Sequence, residues 1–365
     1  MYPWYFIKNE NEVDSPAMLV YPEIVKENIS LAWDLVTGHS VLRPHVKTHK
    51  MAEVVRMCAQ EGIDRFKCAT IAEAEMLAMS NVKDILLSYQ PTKIKAKRLL
   101  ELVLKFPGTI FSCLIDNEGS ARNLSQVFEN QKISVFIDIN IGMNRTGIKP
   151  HLVLALFQNC KNLTNVEIVG LHAYDGHICD TEVSVRKKRC HDVLKIINAI
   201  RDSVRETSRK HLKLVLGGSP TFHLYSGKET IETSPGTFVF WDEGYRTLLP
   251  DLNFKLAAVL LVRVISIIDE NTLCLDLGHK AISSENPLPR VKFLNVKGAK
   301  ELGYSEEHLV VNVPDSSVHK IGDVWYGVPY HICPTVAMYN DVHVIENNVY
   351  TKKWKVIARD RTITI

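Results

Sequence analysis

Three consecutive stretches decide the fold: Ser134-Val135-Phe136-Ile137-Asp138-Ile139, His151-Leu152-Val153-Leu154-Ala155-Leu156-Phe157-Gln158-Asn159, and Glu167-Ile168-Val169-Gly170-Leu171-His172-Ala173. The outer two are short, apolar and β-branched, as strands buried on both faces are. The middle one is long enough for a helix and apolar on one side. A strand, a helix and a strand in this order make a parallel βαβ unit. The same rhythm extends in both directions. Further strands are expected at Val41–Val46, Arg65–Ala69, Ile85–Tyr89, Thr109–Ile115, Lys213–Leu216 and Thr230–Thr233. Helices are expected at Ala52–Gln60, Ile71–Ser80, Thr92–Leu104, Asn117–Glu129 and Glu182–Val204. A first helix starts at Pro22 and stops at Gly38, and a short one follows Pro220. About eight such units in this length fit a closed (β/α)8 TIM barrel, an α/β fold. A doubly wound open sheet is the competing arrangement.

After Arg246 the rhythm changes. Lys255–Ile268, Thr272–Asp276, Leu309–Val313, Val342–Ile345 and Trp354–Ile357 favour strands, with no long helical pattern between them. This predicts a barrel over residues 20–245 and an all-β C-terminal domain from 246–365. Residues 1–19, including Tyr5–Ile7, are expected to add a strand to that domain.

The chain has 365 residues, 46% of them hydrophobic and 23% charged, with a formal net charge of +3. That composition supports a large core. It offers no basic block of the kind nucleic acid attracts. No apolar run reaches the roughly 20 residues of a membrane span, and the N-terminus lacks the pattern of a secretory signal. Eight scattered cysteines are expected to be buried thiols of a reducing cytoplasm.

Catalytic groups of a barrel gather where its strands end. The first strand ends Arg43-Pro44-His45-Val46-Lys47-Thr48-His49-Lys50. A lysine there can join an aldehyde cofactor; Lys47 is the candidate and Lys50 its rival. The fifth strand runs to Gly142-Met143-Asn144-Arg145-Thr146-Gly147, where Arg145 can hold a phenolate or carboxylate. The sixth ends His172-Ala173-Tyr174-Asp175-Gly176-His177, and alternation puts His172 and Tyr174 on one side. The seventh opens into Gly217-Gly218-Ser219-Pro220-Thr221, and the eighth into Ser234-Pro235-Gly236-Thr237. Barrels often bind phosphate with these last two loops. In the β domain, His331-Ile332-Cys333 on an extended segment would point both side chains the same way. Imidazole and thiolate suit Zn²⁺. His279 and Lys280 are candidates by position only.

Together, in this order, these motifs resemble the D-threonine aldolase and D-serine dehydratase family. These are fold-type III pyridoxal-phosphate enzymes, distantly similar to alanine racemase. The resemblance implies that Lys47 is the Schiff-base lysine, that Arg145 lies near the cofactor's phenolic oxygen, and that Tyr174 lies against its ring. It implies a phosphate cup of Gly218, Ser219, Thr221, Gly236 and Thr237. It makes His331 and Cys333 a divalent-metal pair, for zinc sooner than manganese. His-x-Cys is similar to the dehydratase branch, whereas the Ser-Pro-Gly-Thr and Tyr-Asp-Gly-His wording is closer to the aldolases. Where racemases carry an arginine toward the pyridine nitrogen, Ser234 stands here. A neutral residue allows a more electron-poor ring, which speaks against simple racemisation.

The implied activity is a lyase acting on D-β-hydroxy amino acids: a retro-aldol cleavage with His177 as base, or a dehydration with Lys47 taking the Cα proton. A racemase and a non-enzymatic pyridoxal-phosphate-binding protein are the remaining readings. The resemblance also implies a homodimer, in which the β domain of one subunit faces the barrel of the other.

Overall fold

A computed structural model describes residues 2–36, 40–225 and 231–365. The expected helix stop at Gly38, and Thr230 at the start of the last expected barrel strand, lie outside the described residues. Two compact units emerge. One comprises Ala32–Lys47, Val55–Gly236 and Asp360–Ile365; the other comprises Met1–Leu31, Thr48–Val54 and Thr237–Arg359.

The first unit is built on eight parallel strands: Val41–Leu42, Arg65–Cys68, Asp84–Leu87, Ile110–Ile115, Ile133–Asp138, Val166–Ala173, Lys213–Leu216 and Ile231–Thr233. From Arg65–Cys68 onward each pairs with the next in chain order, and the first pairs with the last through Val41 with Glu232 and Leu42 with Thr233. The remaining gap is bridged beyond the first strand. Val46 N–H donates to Lys67 O (3.0 Å), Lys67 N–H donates to Pro44 O (2.8 Å), and His45 is in register with Lys67. The sheet therefore curls into a barrel and is not an open doubly wound sheet. Its interior is packed by Leu86, Leu114, Phe136 and Val215, as a filled barrel requires.

The connecting helices follow the predicted pattern and are capped as their sequences demand. Thr70 accepts from Glu73 N–H at 3.1 Å, ahead of helix Ile71–Met79. Asn117 accepts from Ser120 N–H at 2.8 Å, ahead of helix Glu118–Val127. Six of the eight cysteines are buried, and none forms a disulfide. No helix of the described residues is long and apolar enough to cross a membrane.

The second unit is a β structure. Its longest strand, Ala258–Asp269, is one element, buried to Val264 apart from Arg263 and exposed after it. The N-terminal contribution comes from Ala17–Val20, which pairs antiparallel with that strand and parallel with Asp341–Glu346. Tyr5–Ile7 is not a strand. Ile7 instead enters the core beside Val13, Leu19, Val259 and Leu261. Three further strands, Val291–Phe293, Lys300–Tyr304 and Val324–Pro329, lie in segments whose alternation is too short to read from sequence.

Candidate active site

The first barrel strand and its continuation carry two cations with different surroundings. Arg43 is fully buried, donating to Glu232 (2.6 Å), Asp84 (2.9 Å) and the Phe66 carbonyl (3.3 Å). Four residues later, Lys47 lines a cavity of about 570 Å³ with His45, Ser88, Gln90, Asp116, Arg145 and others. That volume lies within the usual range for small-ligand pockets. No carboxylate pairs with Lys47 among the described residues.

Tyr174 organises this end of the barrel. The Lys47 Nζ and the Lys67 Nζ each lie 5.8 Å from its ring centre, and the Arg145 guanidinium carbon lies 4.9 Å away. Three cations thus share one aromatic ring. The ring also folds back against Gly176, where a Cβ would fall 2.4 Å from the Tyr174 hydroxyl oxygen.

Behind the ring runs a buried chain of polar groups. Lys67 Nζ donates to His172 Nε2 (3.4 Å), and His172 Nδ1 donates to Asp138 Oδ1 (2.7 Å). Asp138 Oδ2 accepts from Gln90 (2.9 Å) and Thr146 (2.9 Å). Burial pushes the Asp138 carboxyl up, but the hydrogen bonds from His172, Thr146 and Gln90 hold it below its usual range. Burial and the Lys67 charge keep the His172 imidazole below its usual range. Burial, then the Lys47 charge, bring Lys67 down to about 7. Sequence reading missed Lys67. The signal was a cation between Phe66 and Cys68 in a strand apolar on both sides.

The two loops expected to hold phosphate are both buried. Gly218 N–H donates to Asp175 Oδ1 (3.0 Å) and to Thr221 Oγ1 (3.1 Å), while Gly236 N–H donates to Ser219 Oγ (3.3 Å). The Ser234 hydroxyl is buried and finds no hydrogen-bond partner among the described residues. His177 packs its ring on Gly142, where a Cβ would lie 2.7 Å from His177 Nε2, and that glycine has φ +119°. The His177 Nδ1 is buried and unpartnered, and burial lowers the imidazole below its usual range.

In the second unit, His331 caps a one-turn helix, Ile332–Val336, which contains Cys333. The expectation of an extended segment is therefore corrected. Pro334 fits a first helical turn, and the buried Asp242 carboxylate accepts from Ile332 N–H at 3.1 Å. The two side chains still meet. Hydrogen bonding to Cys333 pushes the His331 imidazole up to about 9, with Glu285 and the Asp242 charge adding to it. Glu285 contacts His331 Nδ1, and Cys333 Sγ lies 3.1 Å from Thr48 Oγ1 and 3.5 Å from Thr237 Oγ1. The Thr237 side chain thus faces Cys333. No set of three His, Cys, Asp or Glu side chains spaced for a metal occurs among the described residues. His279 stacks on Tyr304, and Lys280 pairs with Glu306 and Glu307.

Residues 22–243 match the model of the alanine racemase N-terminal domain, and residues 257–345 match that of a putative serine dehydratase domain. The chain is 28% identical to a D-threonine aldolase of Arthrobacter sp, over 95% of this chain and 93% of that protein. It is 25% identical to a D-serine dehydratase of Dictyostelium discoideum, over 93% and 95%. The crystal structure of D-threonine aldolase from Filomicrobium marinum superposes with a TM-score of 0.85, at 23% identity, over 95% of this chain and 96% of that one. With its barrel matched from end to end, the chain belongs to the alanine racemase N-terminal domain family.

Proposed function

We propose that this protein is a pyridoxal-phosphate- and metal-dependent lyase of D-β-hydroxy amino acids, working as a D-threonine aldolase. The observation that carries the reading is Lys47, a lysine at the wall of the barrel cavity with no carboxylate partner among the described residues, beside Arg145 and Tyr174. The similarity to named aldolases and dehydratases over nearly the whole chain supports it. Alanine-racemase-like fold-type III enzymes bind pyridoxal phosphate, and the cavity suits that group. Ser234 offers a buried, unpartnered hydroxyl for a ring nitrogen, and Arg145 offers a cation for a phenolate. The division into a barrel over 20–245 and a β domain of 1–19 with 246–365, and assembly as a cytoplasmic homodimer, belong to the same proposal.

When bound, pyridoxal phosphate supplies an aldehyde that joins an amine and a ring that withdraws electrons from the adjoining carbon. Lys47 is the residue that would hold the aldehyde. Arg145 would set its guanidinium against the phenolic oxygen and stabilise a negative charge there. Tyr174 would orient the ring, and Ser234 would offer its hydroxyl to the ring nitrogen without imposing a charge. Gly218, Ser219, Thr221, Gly236 and Thr237 hold the phosphate. His331 and Cys333 would hold a divalent ion, whose charge would make a substrate hydroxyl more acidic. Zinc suits this nitrogen and sulfur pair better than manganese. Glu285 fixes the His331 ring, as carboxylates do behind metal-binding histidines. His177 would take the β-hydroxyl proton as the Cα–Cβ bond breaks and the aldehyde leaves, and return it to Cα, which keeps the electron pair of the broken bond, so that glycine is released.

The His331-x-Cys333 pair favours a second reading, a D-serine or D-threonine dehydratase. Lys47 then removes the Cα proton and hydroxide leaves. Incubation with D-threonine decides between them. Glycine with acetaldehyde is the expected result, and 2-oxobutanoate with ammonia would establish the dehydratase. Scrambling at Cα without cleavage would contradict both.

A further inference from the structure

The end of the barrel opposite Lys47 carries a second cavity, of about 480 Å³, that the proposed chemistry does not use. Arg65 and Lys213 each begin a barrel strand, so both stand where the parallel strands start. Arg201 and Arg205 lie one turn apart on helix Val183–Ser208 and therefore share a face. Lys210, just past that helix, adds to the wall. Five cations from these elements thus line one hollow, and Glu232 is the single carboxylate among its described lining residues.

Glu232 lends that wall little negative charge. It is buried, with Arg43 on one oxygen at 2.6 Å and Arg65 on the other at 3.0 Å. Arg65 also meets Asp64 at 2.9 Å, and Arg205 meets Asp202 at 3.3 Å, but both of these carboxylates are open to solvent. Exposed pairs of this kind hold their partners weakly. Neither Lys210 nor Lys213 has a carboxylate within ion-pair distance among the described residues. A helix end favours cations in its last turn, which accounts for Arg205. It does not account for Lys213, which sits in a strand, or for the gathering of cations from two strands and a helix around one hollow. A cleft walled by one sign of charge concentrates the opposite sign within it.

The donor set narrows the ligand. Guanidinium forks match phosphoryl oxygens two at a time, and lysines add point charge. A monocarboxylate would leave most of these donors unmatched. A nucleic acid needs a long basic surface, whereas this is a hollow of small-molecule size in a chain of net charge +3.

We propose that this hollow is an anion site for a small molecule bearing two or more phosphoryl groups, bound by Arg201, Arg205, Lys210 and Lys213. It is separate from the loops at Gly218 and Gly236, which follow the seventh and eighth strands at the other end of the barrel. The inference stands whether or not Lys47 anchors a cofactor.

The test is calorimetric titration of pyrophosphate into full-length protein saturated with pyridoxal phosphate, so that a phosphate cup in those two loops is already filled. One pyrophosphate per chain should bind with a Kd on the order of 10 μM, and more weakly as salt is raised. Lys210→Gln and Lys213→Gln should each weaken binding roughly tenfold. Both side chains are exposed, so the fold should tolerate either change. Replacing Lys297 and Lys300 together by Gln removes as much charge from the β domain as both of these changes remove from the hollow, and should leave the Kd at its wild-type value. No binding at millimolar pyrophosphate, an affinity unmoved by Lys210→Gln and Lys213→Gln, or an equal loss in the Lys297 and Lys300 double variant overturns the proposal. Sulfate binding as tightly as pyrophosphate overturns the choice of a ligand with several phosphoryl groups.

Discussion

Arg43 and Lys47 stand four residues apart in the same barrel segment and lead opposite lives. Arg43 is sealed from water, with Glu232 and Asp84 on its guanidinium. Glu232 in turn receives Arg65 at 3.0 Å. Lys47 shares its end of the barrel with Lys67 and Arg145 around one tyrosine, with no carboxylate within ion-pair distance among the described residues. Paired charges in a barrel hold strands together. A surplus of one sign keeps a protein from its most stable state and is retained where chemistry or a ligand needs it. The contrast separates structural from reactive groups without reference to any relative.

Substitutions at the two positions should therefore fail in different ways. Lys47→Ala should lower cleavage of D-threonine on the order of 10,000-fold, with the folded state retained, as steady-state kinetics beside a denaturation curve will measure. An enzyme that keeps more than a tenth of its activity would move the reactive role elsewhere, first to Lys50. Arg43→Met should instead destabilise the protein by about 3–5 kcal/mol, because it strips Asp84 of its ion-pair partner and leaves the buried Glu232 with Arg65 alone. Denaturant titration gives that number, and a loss below about 1 kcal/mol would show that the network does not carry the stability assigned to it.

Lys67 offers a subtler contrast, because its charge works against the fold. Its amine is depressed from the usual 10.5 to about 7, by burial first and by Lys47 second. Below about pH 7 both folded and unfolded chains carry the proton, and the penalty of the buried charge is fully present. Between about 7 and 10.5 the folded chain has released it while the unfolded chain still binds it, so stability rises with pH through that window. Lys67→Met should consequently raise the melting temperature by about 2–4 °C or more at pH 6, with the gain fading toward pH 10. A gain that is constant with pH would place the effect in packing. Chelation makes the mildest change to structure: activity should vanish while the cofactor's visible absorbance stays. Turnover persisting in strong chelator would remove the metal role from His331 and Cys333.

The barrel was legible because its strands are buried on both faces and its helices announce their starts with Pro22, Thr70 and Asn117. Glycines and hydroxyls at the ends of the last strands marked the two loops for the same reason, that turns constrain residue type. Lys67 was hidden. In Arg65-Phe66-Lys67-Cys68 the two cations stand two residues apart and so share a face, and only the pairing of Lys67 with His45 tells which of them lies level with the end of the first barrel segment. Glu285 lies 46 residues before His331 and has no local pattern that links them. The turn at His331 was read as extended because no residue within that short stretch marks a helix start. Asp242, 90 residues earlier, supplies the acceptor that lets a helical turn start there. Pairings set by long-range register or by a distant acceptor leave no trace in a local window.

The most direct test of the account is reduction of the pyridoxal-phosphate-loaded protein with borohydride, followed by peptide mass spectrometry. The modified peptide should carry the pyridoxyl phosphate mass on Lys47 and leave Lys50 and Lys67 unmodified. Label on either of those lysines, or no label after reconstitution, would contradict the assignment of this site.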